Sequence, residues 1–212
     1  MGTRNLTMVI KEHQTKVAQY GQWDGYPQGQ GVKILSFLQQ KANIEKLKEI
    51  LPKIRFENDQ DIKEKKEFAK SIGARDGWLN MEQAEQYDKQ YPLDSRNLGG
   101  EILNKLLEYQ DQTDIVLVNS EDFASDSLFC EWAYIIDLDN NTLEVYKGFN
   151  RAKITENDRF YNFNDAKNQY RSIKIIKSFS LDKLPDAEKF IAECSKEQNK
   201  NRNTSKDIEL EL

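Results

Sequence analysis

Tyr20-Gly21-Gln22-Trp23-Asp24-Gly25-Tyr26-Pro27-Gln28-Gly29-Gln30-Gly31 joins an alternating segment to an amphipathic one. Its glycines permit close backbone approach and positive φ, and Pro27 fixes one turn. So many permissive residues beside polar and aromatic ones read as a loop that faces a ligand. The competing reading is a strand-to-helix turn wrapped around Trp23 as a core plug. Upstream, Asn5 to Ile10 and Thr15 to Tyr20 are short β-rich runs around a polar turn, an N-terminal hairpin. Downstream, Val32, Leu35 and Leu38, with Ile34 and Phe37, have helical spacing. That spacing puts Gly29-Gln30-Gly31 at a helix N-terminus, where free N–H groups and the macrodipole attract a carboxylate or phosphate. No Gly-Lys-Ser/Thr follows, and the glycine spacing is not that of a dinucleotide fingerprint.

Farther along, residues from about 41–92 read as a charged helical insertion. It comprises Ile44 to Leu51, Asp59 to Ile72, a break at Gly73 to Gly77, and a helix over Leu79 to Tyr91 capped at Asn80 and ended by Pro92. Asp94 or Ser95 then caps a helix whose apolar stripe is Ile102, Leu103, Leu106, Leu107 and Tyr109. Asp114 to Asn119 reads as a strand, and Trp132 to Leu138 with Thr142 to Lys147 as the clearest hairpin. Asp137-x-Asp139-x-Asn141 lacks the glycine and terminal glutamate of a calcium loop, since Thr142 and Gly148 stand there. A strand over Ile173 to Phe179 and a helix over Pro185 to Cys194 follow. The expectation is a single α+β domain over 1–194, a mostly antiparallel sheet with packed helices. The hydrophobe-poor segment 195–212 reads as a disordered tail.

A chain of 212 residues, 38% apolar and 32% charged, supports a full core and contains no run long enough to span a membrane. The net charge of −5 argues against a nucleic-acid backbone as partner, because phosphate binding needs a concentrated basic face. No basic-then-apolar leader is present, so the expected location is the cytoplasm. Cys130 and Cys194 read as small buried hydrophobes, and His13 has no second histidine, serine or cysteine nearby. Neither a metal, a cofactor nor a catalytic triad is expected, and oligomeric state stays open.

Five residues stand out as ligand-binding candidates: Arg4, Asp24, Tyr26, Gly29 and Arg96. Arg4 precedes the first strand, where an arginine usually faces solvent; the sharper alternative is a pair with Asp24 across the hairpin, which locks the loop or holds a ligand through the guanidinium fork. Arg96 lies at the start of an expected helix, where the dipole disfavours a cation, so it calls for a carboxylate partner or an anionic ligand. Tyr26, between Gly25 and Pro27, is the aromatic expected to be exposed, whereas Trp23 is expected in the core.

Gly2-Thr3-Arg4, followed by Val17-Ala18-Gln19-Tyr20-Gly21-Gln22-Trp23-Asp24-Gly25-Tyr26-Pro27-x-Gly29-x-Gly31, resembles a family of phage, bacterial and fungal proteins with no established activity. Arg96-Asn97-Leu98-Gly99, Glu131-Trp132-Ala133-Tyr134 and Leu143-Glu144-Val145-Tyr146 extend the resemblance over most of the chain outside its charged middle and tail. A weaker similarity is to the bile-acid and penicillin amidase branch of the N-terminal-nucleophile hydrolases, in which an aspartate follows the second strand roughly where Asp24 lies. Gly2 stands where that branch has its cysteine nucleophile, so the similarity implies the strand-and-loop architecture without the chemistry. The resulting expectation is a protein that binds a small anionic molecule such as a nucleotide. By analogy with phage proteins that soak up host immune messengers, it would sequester a nucleotide-derived signal. The alternative is a degenerate amidohydrolase acting through the free amine, Thr3 or Asp24.

Overall fold

The computed structural model describes residues 2–163 and 170–196. The fold is α+β. Five strands form one sheet in the order β2-β1-β5-β6-β7: β1 (Asn5–Lys11), β2 (Gln14–Gly21), β5 (Trp132–Asp137), β6 (Thr142–Lys147) and β7 (Lys174–Ser180). All neighbours are antiparallel except β1 and β5, which run parallel with Asn5 opposite Trp132 and Ile10 opposite Asp137. The expected N-terminal and central hairpins are both present. The strand expected after Asp114 is not in this sheet. It is β4 (Ile115–Leu117), and it pairs in parallel with β3 (Ile54–Phe56), a short strand inside the segment read as purely helical.

Burial on both faces explains why β1 lacks apolar–polar alternation, with Leu6, Met8, Val9 and Ile10 all apolar. Val9, Val17, Trp132, Tyr134, Ile136, Leu143 and Val145 face one apolar cluster, completed by α1 (Val32–Leu38), α2 (Lys41–Ile50), α5 (Ile102–Leu107) and a helix over residues 187–196, α6. Leu6, Met8, Ile10, Ala133 and Ile135 face a second cluster with Ala124, Phe160 and Ile173. The alternation is the two-residue side-chain period of a strand, so a one-residue slip of β1 would exchange its two faces.

Two helices of the charged segment start on reciprocal caps. Asn58 accepts the N–H of Asp61, and the Asp61 carboxylate accepts that of Asn58, at the start of α3 (Asp59–Ser71). Asn80 and Gln83 do the same for α4 (Met81–Gln90). Each cap satisfies donors that a helix end leaves open. The cap expected for α5 is different. Asp94 is taken by Lys65 and Ser95 by Asp88, and the chain enters α5 through a tight turn at Gly99–Glu101. Residues 195 and 196 belong to α6, and the rest of the expected tail, 197–212, lies outside the described residues. Among the described residues no helix is long and apolar enough to cross a membrane.

Candidate functional site

Because β1 and β5 start together, the segments before them and the exits of β2 and β6 meet at one end of the sheet, called here the lower end. There Arg4, Gln22, Glu131 and Gly148 lie just beyond the last paired residues Asn5, Gly21, Trp132 and Lys147. The glycine-rich loop folds across this end. Gly25 N–H donates to Thr3 O at 2.8 Å, and Gln22 N–H donates to Arg96 O at 2.8 Å, which ties the loop to both arginine-bearing segments.

The loop's glycines serve packing. A Cβ on Gly29 would lie 2.2 Å from Asp24 O, and one on Gly25 would lie 2.7 Å from Thr3 O. Neither residue has positive φ; the left-handed conformation within this turn belongs to Asp24, at φ 55°. Nor does the loop present an open helix N-terminus. Gly29 N–H donates to Tyr26 O at 2.9 Å and Gln30 N–H to Asp24 O at 2.8 Å, inside a π-type turn over Pro27–Gly31. The expected anion cradle at Gly29-Gln30-Gly31 is therefore closed by the chain itself. Beneath the loop lies a buried polar seam. Gln30 Nε2 donates to Trp23 O, Asn5 Nδ2 donates to Gly21 O and Trp23 O, and Tyr134 OH donates to Gly25 O at 2.8 Å.

Of the candidate residues, the structure brings Arg4 and Arg96 to one place. The phenol of Tyr20, opposite Leu6 in the ladder, feels both charges. Burial pushes its pKa up, and the Arg4 and then the Arg96 guanidinium partly oppose that rise. Tyr20 OH donates to Gln22 Oε1 at 2.6 Å, and its ring meets Phe123 edge-on. The Arg4 guanidinium lies over the Phe129 ring, 4.4 Å from its centroid, and its Nε is buried without a hydrogen-bond acceptor among the described residues. Glu131 is close, yet it accepts the backbone N–H of Arg4 at 3.3 Å. Neither Arg4 nor Arg96 forms an ion pair among the described residues, so the expected Arg4–Asp24 bridge is absent there. Arg96 is exposed in a turn before Gly99–Glu101, so the expected placement against the dipole of α5 does not hold.

Asp24, Tyr26 and Gly29 form the other part of the loop. Tyr26 OH donates to Asp24 Oδ1 at 3.1 Å, and that bond together with the carboxylate charge raises the Tyr26 pKa. Tyr26 is exposed, as expected. Trp23 is not the core plug that its size implied: it is 46% exposed, with Nε1 donating to Asn97 Oδ1 at 3.0 Å. The core position below the loop is filled instead by Tyr134, whose hydroxyl has a backbone acceptor. Sequence reasoning missed Phe129, which is 42% exposed. The available signal was Leu128-Phe129, a large apolar pair in a polar turn outside any periodic pattern.

Among the described residues no group of three or more His, Cys, Asp or Glu side chains is placed to hold a metal ion. The thiols offer no nucleophile: burial pushes Cys194 up to about 12 and Cys130 higher still. The lower end thus presents cationic side chains beside exposed aromatic rings, with hydroxyl and amide groups between them. That arrangement can bind an anion carrying a flat apolar part. The sequence matches no protein-family model and no curated protein, and no solved structure matches the chain.

Proposed function

We propose that the protein binds a small anionic molecule with a planar group, a nucleotide-type ligand, at the lower end of the sheet, and that it sequesters this ligand rather than converting it. The observation that carries the reading is the Arg4 guanidinium, partly buried, laid over Phe129 and without a carboxylate partner among the described residues. Partial burial of an uncompensated charge is costly, and Arg96, a second cation without an ion pair among the described residues, is tied to the same end of the sheet by the Gln22–Arg96 backbone bond. An anion held there compensates Arg4 and can be reached by Arg96. Arg4 and Arg96 supply charge-assisted hydrogen bonds, Tyr20 and Gln22 polar contacts, and the exposed rings of Phe129 and Trp23 apolar faces. Binding without turnover is supported at Gly2, where a Cβ would lie 2.5 Å from Gln22 O and 2.7 Å from the Trp23 ring. The position that carries the nucleophile in the amidase branch has no room for one here.

Mass spectrometry of small molecules released by denaturing the purified protein, followed by calorimetry with the molecule found, tests the reading. Arg4→Ala and Arg96→Ala should each weaken binding by roughly 1–3 kcal/mol, the loss expected for charge-assisted hydrogen bonds. Arg4→Lys, which keeps the charge and loses the fork, should recover only part of it. Binding unchanged in both alanine variants refutes the site.

A further inference from the structure

A cavity of about 230 Å³ opens between α3, the turn at Pro92–Asp94 and β4, and it shares no residue with the arginine site. Its apolar walls are Tyr91, Pro92, Leu93, Tyr109 and Val116. It is smaller than the pockets that hold drug-sized molecules, so it suits one ring with a short chain.

Most charges lining it are already committed. Lys65 Nζ donates to Glu57 Oε2 and Asp94 Oδ1, both at 2.8 Å, and Tyr87 OH donates to Asp94 Oδ2 at 3.2 Å. Asp61 accepts the Arg55 fork and the Asn58 amide. Glu64 is the exception: it accepts from the neutral Gln60 amide at 2.7 Å and has no cation partner among the described residues. Acidic groups exceed cations in the lining, with Asp61, Glu64 and Asp94 set against Lys65. A ligand matched to these walls has an apolar ring and a single positive head.

We propose that this cavity binds an arylalkyl ammonium, its ring among Tyr91, Leu93, Tyr109 and Val116 and its ammonium at Glu64. An anion would meet the uncompensated carboxylate, and a larger cation would not fit. Three probes of one shape decide the matter: phenethylamine, 2-phenylethanol and 3-phenylpropionate, titrated at neutral pH and followed by calorimetry and methyl NMR. The ammonium should bind about tenfold more tightly than the alcohol, with the Leu93 and Val116 methyl resonances shifting, and the carboxylate should not bind. Glu64→Gln, an exposed helix-surface change, should bring the amine to the alcohol's affinity while leaving the alcohol's affinity and the circular dichroism spectrum unaltered. The proposal is overturned if no probe binds, if the alcohol or carboxylate matches the amine, if the shifts fall elsewhere, or if Glu64→Gln keeps the preference.

Discussion

Gly29→Ala separates a packed loop from a ligand cradle. Gly29 does not have positive φ, so alanine is conformationally acceptable there, and the cost is steric. The new methyl would sit 2.2 Å from Asp24 O and 2.9 Å from Asp24 Cβ, contacts that the turn cannot keep. Overpacking of this kind costs about 1–3 kcal/mol. Moving Asp24 away also breaks the 2.8 Å bond from Gln30 N–H, worth roughly 0.5–1.5 kcal/mol net. The expected loss is about 2–4 kcal/mol, read as a lower urea midpoint at unchanged slope. Gly77→Ala is the control, because it has φ +81° and no atom within 4 Å of the added methyl, so only conformational strain of about 1 kcal/mol applies. If Gly29→Ala costs less than Gly77→Ala, the packing argument fails. If Gly29→Ala leaves stability intact and abolishes binding of the co-purified molecule, the loop is a ligand cradle after all.

Three further outcomes follow from the same structure. Thr7 is fully buried with no partner for its hydroxyl among the described residues, so Thr7→Val should leave stability unchanged or raise it by up to about 1 kcal/mol; a comparable fall would mean that the hydroxyl has a partner beyond them. The Arg55 fork and the Asn58 amide hold Asp61 at about 2, below its ordinary 3.8, so its contribution is complete above pH 3.8 and is lost as pH falls toward 2. Asp61→Asn should flatten the dependence of the urea midpoint on pH across that window, and an unaltered slope would contradict the pairing. Ellman's reagent at pH about 8 should label neither cysteine in the folded protein and both after denaturation, since both thiols are buried with raised pKa; fast labelling of the native protein refutes this.

What could be read from the sequence was local. The hairpin of β5 and β6 follows from two strand-like runs around the turn Asp139-Asn140-Asn141, and the start of α4 from the cap at Asn80, because each signal lies within a few residues. Pairings across long stretches of chain left no such mark. The parallel contact of β1 with β5 joins segments separated by most of the helices. β3 is three residues long among Lys/Glu-rich helices, so its pattern is too short to stand out. Trp23 misled because size and apolarity were read as burial, whereas its indole N–H has an exposed acceptor in Asn97. Asp94 looked like a helix cap because capping is a local role, but a lysine on another helix claims it. Arg4 and Arg96 were visible as cations in unusual places. Their meeting at Tyr20 was not, since it depends on ladder register and on the Gln22–Arg96 backbone bond.

The parallel pair at the centre of the sheet is what gives the lower end its character. In an all-antiparallel order the start of one strand lies beside the end of its neighbour, so lead-in segments are kept apart. Here the lead-ins of β1 and β5 are adjacent, and Arg4 comes to lie on Phe129 with Glu131 held to its backbone. A fold seeking only stability would turn that carboxylate onto the guanidinium, since a charge-assisted bond there is worth more than the neutral amide contact it makes. Leaving Arg4 without a carboxylate, and placing Arg96 near the same phenol, sacrifices stability at one spot in an otherwise acidic protein. On the binding function proposed above, such a sacrifice is accounted for by a ligand outside the chain. It implies that Arg96→Ala, the loss of an exposed side chain with no ion pair among the described residues, leaves the melting temperature of the ligand-free protein unchanged while ligand-induced stabilisation falls. A lower melting temperature without ligand would place Arg96 among the structural residues and remove half of the proposed site.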